Sequence, residues 1–382
     1  MSLKPADVKM KNIETIPQYF DFTNQGFDWL TIRCRQLKNW ARRRHIKFFT
    51  WEYWPMWLVY SPSVFYFVYL SLKARSCCFF SAANPSIETG GMIFESKWDI
   101  FKLIPKEYYP STILIAANEN TDTVIASMNN AGIGFPVIAK PDRGERGWCV
   151  AILQNKKDLQ NYITRHPIDF LVQQYIGYPV ELSVFYYRHP GLADGIITSV
   201  TGKEYLSVTG DGCSNIYELI KANDRAFLQM ENLRLLGNTD FNRILQKGQK
   251  MVLSPFGNHT KGTMFLDYCS IIDEDLTDTF NKISKQIQGF YFGRFDLKCR
   301  SISDLKKGQH FSILELNGSG AEPSHIYQPG FSFFKAQKVI IRHYKMMYEA
   351  AKENNKRGVP YMSLKSFSAV RAAEKIHKKK VK

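Results

Sequence analysis

The sequence predicts an α+β fold with antiparallel sheets. Three observations carry that expectation. Short apolar runs of strand length recur from about residue 96, bounded by turns rich in Gly, Pro and Asp. Helical stretches such as "NKKDLQNYITRH" and "LTDTFNKISKQIQ" lie between some of them. Strands and helices do not alternate strictly, which argues against a βαβ-built parallel sheet. At 382 residues and 45% hydrophobic, the chain suffices for one large or two medium folded domains.

The first forty residues are polar and basic and read as lacking a secretory signal. The seven cysteines are scattered, odd in number and without a C-x-x-C pair, which fits a reduced, cytoplasmic protein without structural zinc. The formal charge is +16 and uneven. "TIRCRQLKNWARRRHIK" carries seven Lys or Arg and no acid, and "RAAEKIHKKKVK" carries six against one Glu. The plain reading is two solvated basic ends, and the functional one is attraction to a polyanion.

"WPMWLVYSPSVFYFVYLSL", Trp54 to Leu72, has no charged residue, is rich in Trp and Tyr, and is followed by Lys73 and Arg75. Its length is at the threshold for a membrane span. Pro55, Pro62 and three serines make it a poor simple transmembrane helix. Basic flanks on both sides keep both ends cytosolic. A shallow, bent, interfacial segment on an anionic membrane satisfies both facts, and an aromatic core element or subunit face is the alternative. Nucleic acid is a poorer fit, because the aromatics are not interleaved with the charges.

Beyond residue 96, "FPVIAKPDRGERGWCVAIL" reads as strand, turn, strand, and so does "DFLVQQYIGYPVELSVFYY". "GFYFGRFDLKCR" and "FSILELNGSG" are two more strands. Residues two apart on a strand share a face. Glu315 and Asn317 therefore share one, and so do Arg294 and Asp296. Asp296, Glu315 and Asn317 together offer hard oxygen ligands of the kind magnesium prefers, with phosphate oxygens and water completing the shell. Lys97, Lys140 and Arg294 would supply cations for a nucleotide's phosphates. Gly144 and Gly147 would let backbone N–H groups approach phosphate. Each feature alone is usually an ordinary turn, a snorkelling lysine or an exposed face. Their order and spacing are more specific. No P-loop and no kinase catalytic loop is present.

That order resembles the ATP-grasp superfamily, and within it the D-alanine–D-alanine ligase-like and cyanophycin synthetase-like carboxylate–amine ligases. The resemblance runs from about Glu95 to Lys345. "ESKWDIFKLIP" and "PVIAKP" are similar to the segments that place two nucleotide lysines, here Lys97 and Lys140. "RGERG" resembles the mobile glycine loop, and "LVQQYI" the hinge between lobes. The resemblance implies adenine held at Gln174, Tyr175 and Ile176, with Gln173 where relatives often have Glu, and ribose at Glu181. "VTGKEYLSVTGDGCSNIYELI" resembles a segment of the cyanophycin and glutathione synthetase-like branch, with Lys203 as a phosphate contact. "GRFDLK" and "LELNGSG" match the family's Arg, metal Asp and metal Glu-x-Asn.

The resemblance implies two α+β lobes clamping ATP, with an atypical aromatic and basic N-terminal extension. The expected divisions are a basic arm at 1–50, an aromatic segment with a substrate loop at 51–95, lobes at 96–175 and 176–350, and a basic tail at 351–382. The implied reaction is ATP- and magnesium-dependent (or manganese-dependent) joining of a carboxylate to an amine through an acyl phosphate, with release of ADP. Arg294 would stabilise the oxyanion. Ser319, Gly320, Ser324 and His325 would face the acyl substrate. "FFSAANPSIETGGM" stands where relatives have a domain for the first amino acid, so Asn84, Glu88, Gly90 and Gly91 are further substrate candidates, with an ordinary loop as the plainer reading. Small or lipid-linked substrates and a peripheral place on the inner membrane face are expected. A non-catalytic ATP-binding module and an ATP-grasp kinase stay open as alternatives.

Overall fold

The structure is a computed structural model that describes residues 25–380 apart from residues 146, 238 and 256. Residues 1–24 of the expected basic arm and 381–382 of the tail lie outside the described residues. The chain divides into two units at Phe49/Thr50. The described part of the first is one helix, α1 (Gln25–Phe49), whose Arg44 guanidinium lies 4.5 Å from the Trp40 ring centroid.

The second unit carries α2 (Met56–Ala74), α3 (Lys97–Leu103), β1 (Thr112–Ile115), α4 (Thr121–Asn130), β2 (Val137–Pro141), β3 (Ala151–Leu153), α5 (Lys156–Arg165) and β4 (Phe170–Gln174). There follow β5 (Val180–Tyr187), β6 (Ile196–Glu204), β7 (Ser207–Thr209), α6 (Ile216–Ala222), α7 (Asp224–Leu236), β8 (Lys250–Val252), β9 (Met264–Asp267) and α8 (Glu274–Gln286). β10 (Phe292–Cys299), α9 (Ile302–Lys306), β11 (Phe311–Asn317), α10 (Phe333–Lys356) and α11 (Leu364–Lys379) complete it. The expected α+β class is the class observed: all strand pairings are antiparallel, in sheets ordered β1-β4-β2-β3, β11-β10-β5-β6-β9 and β7-β8.

Alternation along β5 explains how the five-stranded sheet is covered. Leu182, Val184 and Tyr186 enter a core with Leu276, Phe280 and Ile283 of α8. Phe185 and Tyr187 point the other way, into a core with Phe79, Phe80 and Met347. Glu181 and Ser183 share that second face but lie beyond this cover. One end of the face is thus apolar and packed, and the other is left polar. The four-stranded sheet has its own core, where Val137, Ala139, Phe170 and Val172 meet Val124, Met128 and Leu159.

The 79–92 loop is tied to β10 by Asn84. The Asn84 Nδ2 donates to the carbonyls of Gly90 (3.0 Å) and Phe292 (2.8 Å), and its Oδ1 accepts from the N–H groups of Tyr291 and Phe292, both at 2.9 Å. The amide is fully buried and fully used. It is a structural clamp, which corrects the expectation that it contacts substrate. Ser319 and Gly320 continue this tie, donating their N–H groups to the carbonyls of Gly90 (2.9 Å) and Gly91 (2.8 Å). Gly91 has φ +75°, and a Cβ on it would stand 2.7 Å from Gly318 Cα, so only glycine fits there.

The Trp54–Leu72 stretch becomes α2. Pro62 lies inside the helix and cannot donate to the Leu58 carbonyl, which instead accepts from Ser61 Oγ at 2.9 Å. Val59 and Leu70 are buried, and α2 packs on α10, with the Phe67 and Tyr344 rings 5.3 Å apart. The opposite face is exposed, including Trp57 at 73% and Phe65 at 78%. The segment is therefore core on one side and surface on the other. Among the described residues, no helix is long and apolar enough to cross a membrane. Within the expected tail, α11 folds back on the body, with His377 against Trp148 (5.8 Å) and Phe94 (5.4 Å).

Candidate active site where two sheets meet

A row of side chains crosses the five-stranded sheet. Glu315 pairs with Asp296, Asp296 with Ser183, Ser183 with Thr201, and Thr201 with Asp267. Positions two residues away on the same strands add Arg294, Lys298, Glu181, Lys203 and Asn317 to this face. The sequence alternation thus becomes a polar floor.

Asp296 is its centre. Arg294 grips it twice, Nε to Oδ1 at 2.9 Å and Nη2 to Oδ2 at 3.0 Å. Ser183 Oγ donates to Oδ1, and Asn317 Nδ2 donates to Oδ2 at 3.3 Å. Burial alone would raise the carboxyl's pKa, but Arg294, Lys203 and these hydrogen bonds outweigh it and hold Asp296 far below the usual carboxylate range. Arg294 also donates through Nη1 to the Glu322 carbonyl (2.9 Å) and to Ser324 Oγ (3.0 Å). Burial opposes its charge, yet Asp296 and the nearby carboxylates raise its pKa further.

Beside this pair lies a second one. Glu181 accepts from Lys203 Nζ at 3.1 Å and from Tyr205 OH at 2.5 Å. Burial pushes Glu181 up, but Lys203 and Tyr205 bring its pKa below the ordinary value. Lys203 is 3.9 Å from Asp296 as well; burial works against its charge, and Asp296 and Glu181 more than restore it. Lys298 Nζ donates to the Ile176 carbonyl at 3.3 Å and lies 5.5 Å from the Tyr175 ring centroid. Gln174, Tyr175 and Ile176 lie where the chain leaves β4 of one sheet for β5 of the next.

The four-stranded sheet brings Lys140. Its Nζ donates to Gln173 Oε1 (3.0 Å) and, across to the other sheet, to the Leu314 carbonyl (2.9 Å). Gln173 Nε2 donates in turn to Thr112 Oγ1 at 2.9 Å. Gln173 is a neutral amide, so the lysine bonds to it without an ion pair. Burial pulls the Lys140 pKa down to about 8, against the pull of Glu315. Lys97 reaches Glu315 at 3.9 Å and donates to the Gly144 carbonyl. Ser96 caps α3, accepting from Asp99 N at 3.1 Å, and donates to Asp142 Oδ1 at 2.9 Å, which fixes Lys97 next to β2. Gly144 (φ +150°) and Gly147 (φ +69°) both take backbone angles that favour glycine.

The loop after β11 is divided. Ser324 reaches Arg294, whereas Ser319 is buried with its Oγ donating to the Phe80 carbonyl at 3.0 Å. Gly320 packs against the Met92 carbonyl, and His325 is buried away from the Asp296 pair's hydrogen bonds. Glu88 pairs with Arg143 at 2.7 Å.

Sequence reasoning passed over four residues that the fold places here: Ser183, Tyr205, Lys298 and Glu95. Lys298 was visible as the third alternate position of "RFDLK". The Glu95 carboxyl, raised by burial, feels Lys97, Glu145 and Glu315, and its Oε2 is buried with no hydrogen-bond partner among the described residues.

The donor set fits a hard divalent cation. Asp296 and Glu315 supply carboxylates from paired positions, and turning the Asn317 amide over presents its oxygen in place of its nitrogen. Lys97, Lys140 and Lys203 line the surroundings, as polyphosphate would require.

No protein-family model matches the sequence. No curated protein matches it either. Among solved structures, the chain is similar to a bifunctional glutathione synthetase from Pasteurella multocida, at 18% identity and TM-score 0.37, over 65% of this chain and 36% of that one. It is similar to the VanG D-Ala:D-Ser ligase from Enterococcus faecalis, at 14% identity and TM-score 0.38, over 67% of this chain and 62% of that one. It is also similar to a D-alanine–D-alanine ligase from Bacillus anthracis, at 14% identity and TM-score 0.36, over 66% and 67%.

A pKa of about 8 for Lys140 gives a signed prediction. The free lysine loses its charge as pH rises through that value, so ATP affinity should fall between about pH 7 and 9.5, with proton uptake on binding at the alkaline end. Calorimetry in buffers of different ionisation enthalpy measures both. Lys140→Arg, charged throughout, should flatten the profile. An alkaline affinity that is flat in the unmodified protein would show that Lys140 does not meet the nucleotide.

Proposed function

We propose that this chain is an ATP-grasp carboxylate–amine ligase that forms an acyl phosphate and releases ADP. One observation carries the reading: Asp296, Glu315, Asn317 and Arg294 converge on one sheet face beside Lys140 from the other sheet. In this reading Tyr175 and Ile176 flank adenine, Glu181 takes the ribose, and Lys97, Lys140, Lys203 and the Gly144–Gly147 backbone take the phosphates. Asp296, Glu315 and Asn317 would hold magnesium, which when bound neutralises phosphate charge.

The chemistry then follows from the residues. The substrate carboxylate oxygen attacks the γ-phosphorus, ADP departs, and an acyl phosphate remains. The amine attacks the acyl carbon, the carbonyl oxygen becomes an oxyanion, and phosphate leaves as the amide forms, the amine's proton passing to the departing phosphate or to solvent. In this reading Arg294, which hydrogen-bonds the Asp296 carboxylate and the Ser324 loop, would stabilise that oxyanion. The Gly144–Gly147 loop would cover the phosphates and keep water from the acyl phosphate. The substrates are a small-molecule or lipid-linked carboxylate and amine.

Isotope transfer tests the reading. Protein is incubated with ATP, amines and a panel of carboxylates labelled with oxygen-18, and released phosphate should carry the label. Glu315→Gln should lower ADP release by at least about 100-fold with the fold intact by circular dichroism. Label retained in a phosphorylated product would make the chain a kinase. ATP binding without ADP release across the panel would make it a binding module.

A specific observation favours a lipid surface as the place of work. Trp57, Val64, Phe65, Val68, Tyr69 and Leu72 form one exposed apolar stripe at helical spacing on α2. Lys73 and Arg75 end the stripe, and on α10 the exposed positions from Phe334 to Lys345 are Phe334, Lys335, Lys338, Arg342 and Lys345, with no acid. Aromatic insertion flanked by cations matches an anionic bilayer. The protein should co-sediment with phosphatidylserine-containing vesicles more than with phosphatidylcholine ones, and Phe65→Ser should weaken this several-fold. Equal absence from both pellets would end this reading, and a dimer abolished by Phe65→Ser would make the stripe a subunit interface.

A further inference from the structure

We propose that Asp267, Cys269 and His325 form a zinc site with one open coordination position. It lies at the β9 edge of the five-stranded sheet, across the sheet from Glu315. The site does not depend on the ligase reading.

The geometry comes from two tied segments. One ligand atom from each of Asp267, Cys269 and His325 lies within 4.8 Å of the other two. Asp267 ends β9, and its Oδ1 accepts from the Cys269 N–H at 2.9 Å, which fixes the turn that brings carboxylate and thiol together. The Asp267 N–H donates to Gln328 Oε1 at 2.7 Å, and this joins β9 to the Ser324–Tyr327 turn that carries His325. The three donors therefore come from a turn and a strand end locked to each other before any ion binds.

A second observation points to a ligand. His325 is only 6% exposed, and its Nδ1 is buried with no hydrogen-bond partner among the described residues. Buried polar atoms are normally bonded, and an orphan calls for an explanation such as an ion. The Cys269 thiol, by contrast, has an acceptor when no metal is bound, the Val200 carbonyl at 3.8 Å.

The donor chemistry selects the metal. One thiolate, one imidazole and one carboxylate form a mixed S, N, O set, which suits zinc far better than magnesium or calcium. A fourth, tetrahedral position is left for water or a substrate donor. On binding, the thiol loses its proton to solvent, and thiolate plus carboxylate balance the ion's two charges. Asp267 is three strands from Asp296 in the sheet order, about 14 Å at ordinary strand spacing, so this is not the magnesium position. His325 follows Ser324, which touches Arg294, so zinc here would also hold the loop that meets the guanidinium.

Cobalt is the spectroscopic probe. The full chain, stripped with chelator, is titrated with cobalt(II) and back-titrated with zinc. We expect one cobalt per chain with tetrahedral visible bands and a near-ultraviolet thiolate charge-transfer band, both displaced by zinc. Cys269→Ser should abolish the charge-transfer band, and Asp267→Asn or His325→Ala should weaken affinity by at least about 10-fold. Zinc should raise the melting temperature of the unmodified protein and not of folded Cys269→Ser. No thiolate band in the unmodified chain, or a band that survives Cys269→Ser, overturns the site. Asp267→Asn removes a ligand without emptying the core, so it still decides the matter if the other variants fail to fold.

Discussion

The Arg294–Asp296 pair is the interaction on which the rest of the site depends. Asp296 is buried and Arg294 half-buried, and burial works against both charges; without the guanidinium the Asp296 carboxylate would be strongly disfavoured. Their two hydrogen bonds, with Ser183 and Asn317 completing the carboxylate's shell, let a sheet interior hold charge. Removing one partner of such a pair typically costs about 3–5 kcal/mol, because the other is left uncompensated. Lys97, Lys140, Lys203, Arg294 and Lys298 surround Glu181, Asp296 and Glu315, while burial favours the neutral acid at Glu95. An excess of cation at the meeting of two sheets is what a polyphosphate would neutralise.

The surrounding architecture keeps that face open. The same face of β5 is sealed at one end by Phe79, Phe80 and α10 and left polar at the other. Asn84 ties the sealing loop to Tyr291 and Phe292 at the start of β10 with three hydrogen bonds and braces the loop itself with a fourth to Gly90, and the N–H groups of Ser319 and Gly320 join the loop to the segment after β11 with two more. The loop beside the site is thereby stiffened on its Ser319 side and left to Arg294 on its Ser324 side. Lys140 bridges the two sheets through the Leu314 carbonyl, so the cation that would meet a nucleotide also links them.

Much of this was legible in the sequence because strands alternate. "RFD" and "ELN" place Arg294 with Asp296 and Glu315 with Asn317 from period two alone. What the period cannot give is which distant strands pair, and that pairing is what adds Ser183 and Thr201 to the row and takes it on to Asp267. Asn84 reads like a loop polar residue, yet its partners are some two hundred positions away. The sequence leaves α2 open between a lipid-facing segment and a core element, because hydropathy is nearly even around the helix and only the packing of α10 separates core from surface. His325 looked like a substrate contact on position alone; its burial beside Asp267 and Cys269 is a product of the sheet edge.

The most direct test of the central claim is a crystal structure of the full chain with magnesium and a non-hydrolysable ATP analogue. The account predicts the metal on Asp296, Glu315 and Asn317, the phosphates against Lys140 and Lys97, and the base at Tyr175 and Ile176. A nucleotide bound elsewhere, or bound here with the metal off all three ligands, would contradict it.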